Sequence, residues 1–137
     1  MKKTICGLSI FILLFSASCK KQAGEGGQAT IRGKVIERKM SDGFTFFGQY
    51  VAADKTVYIV YGDDATYGND TKTGPDGVFE FQYLRKGNYK VYTYSNDSAG
   101  SVGPPVNLSA PKIAISKSVE ITSRKQLVET GNIVIYN

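Results

Sequence analysis

The residues that most enzymes use for acid–base catalysis and metal binding are scarce in this chain of 137 residues. It contains no histidine and no tryptophan, and its two cysteines are Cys6 and Cys19. Histidine-based triads, histidine-ligated metals and CxxC redox chemistry are therefore excluded. No Ser-x-x-Lys motif stands in a recognisable active-site setting. We expect a protein without catalytic activity and without a cofactor.

Cys19 has the clearest chemical context of the two cysteines. Residues 1–3 (Met-Lys-Lys) give the chain a positive start, and the apolar run Ile5–Phe15 follows. A run of this length suits the core of a secretory signal and is too short to span a membrane. Small residues (Ser-Ala-Ser, 16–18) then lead directly into Cys19. This order of features resembles the lipobox of bacterial lipoproteins.

The lipobox resemblance implies a lipid anchor. The signal peptide, residues 1–18, would be cleaved just before Cys19, whose thiol would carry a diacylglyceryl group and whose amine a further acyl chain such as palmitate. Each buried methylene contributes about 0.8 kcal/mol, so two or more chains hold a protein stably on a bilayer. Serine before Cys19 departs from the more usual Gly or Ala, and an ordinary secretory signal with a chance cysteine is the alternative.

The residues after the cysteine predict location and linkage. The start SCKKQ is similar to Bacteroidetes-type lipoproteins, in which an acidic cluster soon after the cysteine is associated with export to the cell surface. No such cluster follows Cys19, which favours the periplasmic side of the outer membrane. Residues 20–28 (KKQAGEGGQ) are polar and Gly-rich, so 19–28 is predicted as the lipidated cysteine plus a flexible tether. The folded domain is expected over 29–137.

The charge balance bears on partners. Seventeen Lys and Arg against twelve Asp and Glu give +5, and the excess falls to +3 without Lys2 and Lys3. Acidic and basic residues are interspersed rather than gathered on one surface, which argues against nucleic acid as a partner. The predicted partners are the lipid bilayer, an envelope protein or a glycan.

From Ala29 onward the sequence shows period two rather than helical spacing. Short alternating runs of β-branched and aromatic residues recur between clusters of Gly, Asn, Asp and Pro, which predicts an all-β domain. Seven strands at this spacing are typical of a sandwich. The predicted strands are Thr30–Arg38, Thr56–Tyr61, a weaker one at Ala65–Thr73, Val78–Tyr83, Asn88–Tyr94, Lys112–Ile121 and Gly131–Tyr136.

Parity within each run predicts which side chains face the core. The predicted core set is Ile31, Gly33, Val35, Val57, Ile59, Tyr61, Phe79, Phe81, Tyr83, Tyr89, Val91, Ile113, Ile115, Val119 and Ile121. Lys117 interrupts its series, which predicts a bulge or break near Ser116. Residues 133–136 alternate Ile with Val or Tyr, as in a strand buried on both sides.

The middle of the chain carries a family resemblance. Pro75-Asp76-Gly77 is turn chemistry before a strand, and Lys86-Gly87-Asn88 is a second turn that predicts a hairpin between the flanking strands. The pattern DGxFxF, L, xxGxYxV over residues 76–91, with GxV at 33–35, resembles the carboxypeptidase-regulatory-like and transthyretin-like (prealbumin-like) domains. The resemblance covers about 30–94. It implies a seven-strand antiparallel Greek-key sandwich that serves as an accessory, stalk or binding module.

The sequence departs from that family at residues 39–54. This long insert concentrates four aromatic residues, Phe44, Phe46, Phe47 and Tyr50. Aromatic side chains usually bury in their own domain, so the insert is predicted to cap an open end of the sandwich or to add an edge strand. The alternative is an exposed apolar patch that holds a partner or ligand.

Two further clusters are candidate sites. Asp63, Asp64, Asn69 and Asp70 supply hard oxygen ligands of the kind that calcium prefers. Their spacing is not that of a D-x-[DN]-x-[DN]-G loop, and a turn rich in local hydrogen bonds is the favoured interpretation, so no metal site is predicted.

The tyrosines form the second cluster. Parity places Tyr58, Tyr92 and Tyr94 opposite the core-facing residues, where they could bind a glycan or a peptide. Ordinary outward tyrosines in strands are the simpler alternative, because tyrosine has a high β-propensity.

These observations predict a membrane-anchored, non-catalytic lipoprotein that acts as a structural or protein-interaction module at the outer membrane. The alternative function is a carrier or binding domain for a small apolar ligand or glycan. Its candidate binding residues are Phe44, Phe46, Phe47, Tyr50, Tyr92 and Tyr94.

Overall fold

The computed structural model describes residues 22–40, 46–96 and 111–137, which form eight β-strands. The strands are β1 (Glu25–Met40), β2 (Phe46–Val51), β3 (Thr56–Tyr61), β4 (Asn69–Lys72), β5 (Val78–Leu84), β6 (Gly87–Ser95), β7 (Ile113–Ile121) and β8 (Leu127–Tyr136). Within these ranges no helix has the length and apolar character that crossing a bilayer would require. The all-β prediction is confirmed.

The long strand β1 organises the first sheet, called here the β1 sheet. Its first part pairs antiparallel with β5 and its last part pairs antiparallel with β2. Strand β8 runs parallel to β1 along the other edge, from Leu127 beside Thr30 to Tyr136 beside Arg38. The expected antiparallel arrangement therefore has one parallel pairing.

The second sheet, called here the β6 sheet, has the strand order β4-β3-β6-β7. All its pairings are antiparallel. The register between β6 and β7 runs without a shift from Gly87 opposite Ile121 to Ser95 opposite Ile113. The bulge predicted near Ser116 is therefore wrong. Strand β7 pairs only with β6, so Lys117 can point toward the core side of the sheet and still stay exposed at its edge.

The two sheets enclose one core. Each fully buried Ile, Val or Phe side chain contributes about 1.5–3 kcal/mol, so this cluster is the main source of stability. Its buried members are Ala29, Ile31, Val35, Ala52, Val57, Ile59, Phe79, Phe81, Leu84, Tyr89, Val91, Ile121, Ile133 and Ile135. At one end Met40 and Tyr136 form a smaller buried pair. The prediction that β8 is buried on both sides is confirmed at Tyr136, whereas Val134 is half-buried.

The seven predicted strands are all present, and the insert supplies the eighth. Strand β2 pairs with β1 from Ile36 opposite Val51 to Met40 opposite Phe46. The expected edge strand in the insert is therefore confirmed.

The hairpin predicted between β5 and β6 is wrong. Strand β5 pairs with β1, whereas β6 pairs with β3 and β7 in the opposite sheet. The tight turn between them crosses from one sheet to the other, and Phe81 and Tyr89 both point into the core from opposite sides. The turn before β5 is as predicted, with Gly77 at φ 75° and its amide hydrogen-bonded to the Gly74 carbonyl at 2.9 Å.

The predicted set of core residues is wrong at Tyr83. It was expected inward with Phe79 and Phe81, but its side chain is 70% exposed. Its backbone φ of 59° breaks the alternation, so the next residue, Leu84, turns inward instead and is 2% exposed. The pairing of β1 with β5 shifts register at the same point.

The predicted tether ends earlier than expected. Strand β1 begins at Glu25, and Gly24 is already buried, so 24–28 belong to the folded domain. Gly27 serves close packing rather than flexibility. A Cβ on Gly27 would lie 1.8 Å from the Leu84 carbonyl oxygen, which no side chain could accommodate.

Candidate functional site

Four tyrosines form a cluster on the outer face of the β6 sheet. Tyr58 of β3 lies directly opposite Tyr92 of β6, and their rings stack with centroids 5.0 Å apart and planes 18° from parallel. Tyr94 meets both rings edge-on, at 5.8 Å from Tyr58 and 5.7 Å from Tyr92. Tyr67, from the β3–β4 connection, packs edge-on against Tyr58 at 5.0 Å. We call these four residues the tyrosine cluster.

Strand periodicity explains why the rings point outward. Val57 and Ile59 on β3, and Val91 on β6, are fully buried, so their neighbours must face solvent. Cross-strand aromatic pairs on one face of a sheet stabilise it by about 0.2–1 kcal/mol each. Stacking accounts for part of the arrangement, but Tyr67 remains 50% exposed and Tyr94 46% exposed.

The strand beside the cluster leaves it uncovered. Ser116 and Ala114 of β7 lie opposite Tyr92 and Tyr94, and both are small and exposed. On the other side Tyr58 is paired with the exposed Asp70 of β4. The tyrosine rings therefore project beyond the smaller side chains of the neighbouring strands. Asp70 and Ser116 place a carboxylate and a hydroxyl group at the edges of the cluster.

The pKa of Tyr92 is raised by burial and by its neighbours Tyr94, Tyr58 and Tyr67. Its hydroxyl therefore stays protonated at neutral pH, where it can both donate and accept a hydrogen bond. The cluster combines apolar ring area with hydroxyl groups at the same surface.

A polar cavity continues from the cluster along the same strands. Lys90 and Ser118 are the next outward residues of β6 and β7 after Tyr92 and Ser116, and both line an open cavity of about 540 Å³. The complete lining is Val60, Gly62, Asp63, Asp64, Asn88, Tyr89, Lys90, Ser118, Val119 and Glu120. Residues 88–94 of an extended strand span roughly 20 Å. The outer face of the β6 sheet thus offers an aromatic end and a polar end.

The candidate calcium ligands do not come together as a metal site. Among the residues that the structure describes, no group of three or more Asp, Glu, Cys or His side chains is placed to hold a metal ion. Asn69 uses its side chain locally: its amide donates to Glu25 Oε1 at 2.7 Å, and its oxygen accepts from the Asp70 backbone at 2.8 Å. Asp63 and Asp64 instead line the polar cavity.

The predicted binding residues split between the two sheets. Tyr92 and Tyr94 lie in the tyrosine cluster, whereas Phe47 and Tyr50 lie on β2 of the β1 sheet. Phe47 is 72% exposed and Tyr50 48% exposed, so the expected burial of the insert aromatics is wrong for these two. Exposed side chains lie on both faces of this strand, because the consecutive residues Tyr50 and Val51 point to opposite faces and are 48% and 43% exposed.

Some predicted site residues lie outside the described part of the chain. Phe44 and Cys19 fall in residues 41–45 and 1–21, and for Phe46 only the strand position is described. Neither Tyr67 nor the polar cavity was predicted from the sequence. Tyr67 follows no alternation that would have placed it, and the cavity joins three segments that are distant in sequence.

No protein-family model matches the sequence, and no curated protein matches it. Among solved structures, the chain is similar to a Pseudomonas aeruginosa protein suggested to be a carbohydrate binding protein. The two share 13% sequence identity with a TM-score of 0.47, over 84% of this chain and 92% of the other.

Proposed function

We propose that this protein is a non-catalytic, lipid-anchored binding module whose tyrosine cluster and adjoining polar cavity bind a neutral glycan. The observation that carries the proposal is the stacked pair Tyr58 and Tyr92, flanked by two exposed rings on a sheet face that no described strand covers. Such ring area together with a few polar groups is the usual chemistry of a ligand site.

The chemistry of a sugar fits both ends of this surface. A pyranose ring presents apolar C–H faces and a rim of hydroxyl groups. The exposed rings of Tyr67 and Tyr94 can cover the C–H faces, and tyrosine contributes large contact area at low entropic cost. In the cavity, Asn88, Lys90 and Ser118 can donate hydrogen bonds, and the carboxylates of Asp63, Asp64 and Glu120 can accept them from sugar hydroxyls.

The charges around the cavity favour an uncharged ligand. Asp63, Asp64 and Glu120 outnumber the single cation Lys90 in its lining. An acidic sugar would meet repulsion there, whereas neutral hydroxyl groups would find acceptors.

The anchor would hold this surface near a membrane. Gly24 is buried in the domain. Five residue steps separate it from Cys19, and an extended chain of that length spans at most about 18 Å. The domain would therefore sample glycans close to the membrane that carries it.

Calorimetric titration of the purified soluble domain with cellohexaose, maltohexaose and N-acetylchitohexaose tests the proposal. We expect at least one to bind, and Tyr94→Ala or Tyr67→Ala to weaken that binding by tenfold or more, as for anchoring aromatic residues elsewhere. Tyr50→Ala, an exposed tyrosine of the other sheet, is the matched control and should leave the affinity unchanged. Equal affinity in the wild type and Tyr94→Ala, or no binding by any of the three sugars, would contradict a glycan site here.

A protein-interaction role at the insert is the second candidate. Phe47, Tyr50 and Val51 are exposed on the edge strand β2, where a partner strand could add by backbone pairing. Crosslinking in intact envelopes distinguishes the two. If the Phe47→Ser variant no longer crosslinks to an envelope protein but still binds the glycan fully, the protein-interaction role belongs to β2.

A further inference from the structure

Tyr83 occupies a backbone conformation that tyrosine does not favour. Its φ is 59°, in the left-handed region, and the other non-glycine residue described there is Asp54, a type that tolerates it better. A left-handed conformation costs an ordinary residue about 1–2 kcal/mol. The bend itself has a structural reason, because it turns Leu84 into the core.

That reason concerns the backbone and not the tyrosine ring. Glycine or asparagine would make the same bend at lower cost. The ring recovers little of the cost by burial, because it is 70% exposed. Residues with a strained backbone cluster at functional sites, so a strained and exposed tyrosine indicates a role other than folding.

The Tyr83 ring borders two further surface cavities. One, of about 420 Å³, has the carboxylates of Glu25, Asp70 and Glu80 in its lining. The other, of about 310 Å³, is lined by Gln28, Thr30, Gln82, Tyr83 and Lys125. They come from β1, β5 and the β7–β8 turn, on the outside of the β1 sheet. Their side chains offer two amides, two hydroxyls and one ammonium group, and no carboxylate.

The charge of this cavity contrasts with that of the β6 sheet. Lys125 is its one ionised lining residue. Glu80 lies on β5, the strand that carries Gln82 and Tyr83. Its carboxylate is already paired with Arg32 and accepts a hydrogen bond from Gln82 at 2.9 Å. An anionic group beside Lys125 would therefore meet a cation rather than a free carboxylate.

We propose that Tyr83 and Lys125 form a second carbohydrate site, on the β1 sheet, that takes an acidic saccharide. The Tyr83 ring would stack on the sugar, Lys125 would pair with its carboxylate, and Gln28, Thr30 and Gln82 would bond its hydroxyl groups. This site is separate from the tyrosine cluster, and its test does not depend on that cluster.

The test combines thermal unfolding with titration of hexagalacturonate into the purified soluble domain. We expect Tyr83→Asn to raise the unfolding midpoint by about 3–6 °C, since it removes strain, and to weaken hexagalacturonate binding at least tenfold. Tyr83→Phe keeps the ring and should keep most of the affinity, and Lys125→Met should weaken binding of the acidic sugar. Lys117→Met, at an exposed lysine of β7 in the other sheet, is the matched control and should leave it unchanged.

Three results would overturn the proposal. A lower unfolding midpoint in Tyr83→Asn would show that the ring is a structural element. Unchanged hexagalacturonate affinity in that variant would place the sugar elsewhere. Absence of hexagalacturonate binding to the wild type would remove the acidic saccharide as ligand, whatever the tyrosine cluster binds.

Discussion

The hydroxyl of Tyr89 accepts a hydrogen bond of 2.9 Å from the backbone nitrogen of Gly24, 65 positions earlier in the chain. It also donates to the carbonyl of Arg85 at 2.7 Å, in the turn that crosses between the sheets. Because Arg85 in turn donates its amide to the Gly24 carbonyl at 2.9 Å, the three residues form a closed set. One buried tyrosine thus fixes both the sheet-crossing turn and the entry of the chain into the domain.

Tyr89→Phe should lower the free energy of unfolding by about 1–3 kcal/mol. The substitution keeps the ring in the core and removes the partner of a buried backbone N–H group. Amide hydrogen exchange near Gly24 should become faster. Tyr94→Phe, on the same strand but facing outward, should change stability little when both variants are unfolded in urea. Equal stability of the two variants would contradict this role of the hydroxyl.

Gly27→Ala should disrupt the start of β1. The added methyl group would lie 1.8 Å from the Leu84 oxygen and 2.5 Å from the Arg85 nitrogen, so the backbones of β1 and β5 must separate there. We expect a loss of several kcal/mol, as for other severe overpacking at a backbone contact. Gln28→Ala, at the next and exposed position, is the control for chemical unfolding. Wild-type stability in Gly27→Ala would mean that residues 24–28 are a tether after all.

Local alternation was sufficient to place β3 and its two faces. The pattern of Val57 and Ile59 predicted the bounds of β3 correctly and put Tyr58 on the outer face. Burial on one side of a strand forces its alternate residues outward, whatever the strand pairs with.

The same alternation carries no information about pairing. Strands β5 and β6 read as a hairpin because a turn joins them, yet they lie in different sheets, since both bury large apolar side chains from opposite sides of the core. Gly24, Gly26 and Gly27 give this segment the composition of a linker. Only the position of the Leu84 carbonyl oxygen, directly beside Gly27, shows that Gly27 is required for packing. Tyr67 and the polar cavity depend on contacts between distant segments, which single-strand patterns do not contain.

Binding of a sugar to the tyrosine cluster should change the fluorescence of the protein. With no tryptophan in the chain, intrinsic fluorescence comes from tyrosine alone, and the stacked Tyr58 and Tyr92 lie where a bound sugar would change their surroundings. A saturable change in emission should accompany titration with the sugar found by calorimetry, at the same midpoint. In Tyr58→Ala the change should be much smaller, whereas Tyr50→Ala should retain it. A full response in Tyr58→Ala would place the ligand away from this face.

Stability should fall in acid because of Glu37. Burial alone would raise the pKa of this carboxyl, but the hydrogen bond from Asn137 and the charges of Lys55 and Lys39 outweigh it, so the pKa lies below its ordinary value of 4.5. A carboxyl whose pKa is lower in the folded state stabilises the fold above about pH 4.5, and this contribution is lost as pH falls through the folded-state pKa.

Unfolding midpoints measured from pH 7 to pH 3 check this sign. The wild type should lose stability below pH 4.5 more steeply than Glu37→Gln, which has no charge to lose at this position. At pH 7 the variant should be the less stable, since Lys55, 3.3 Å from Glu37 Oε2, loses its partner. Parallel pH profiles of the two proteins would assign the acid sensitivity to other carboxyls.

The proposed lipid anchor predicts different results for substitutions at the two cysteines. Cys19→Ala removes the only thiol of the mature chain that could be acylated, so the protein should leave the membrane fraction, whereas Cys6→Ala, within the signal, should leave it there. Mass spectrometry of the wild type should find an N-terminus that begins at Cys19 and carries the added mass of its acyl chains. A Cys19→Ala protein that stays membrane-bound, or a wild type with an unacylated start, would contradict the anchor. Neither result would bear on the proposed sugar sites, because their residues belong to the strands and turns of the domain and not to the cysteine that would be acylated.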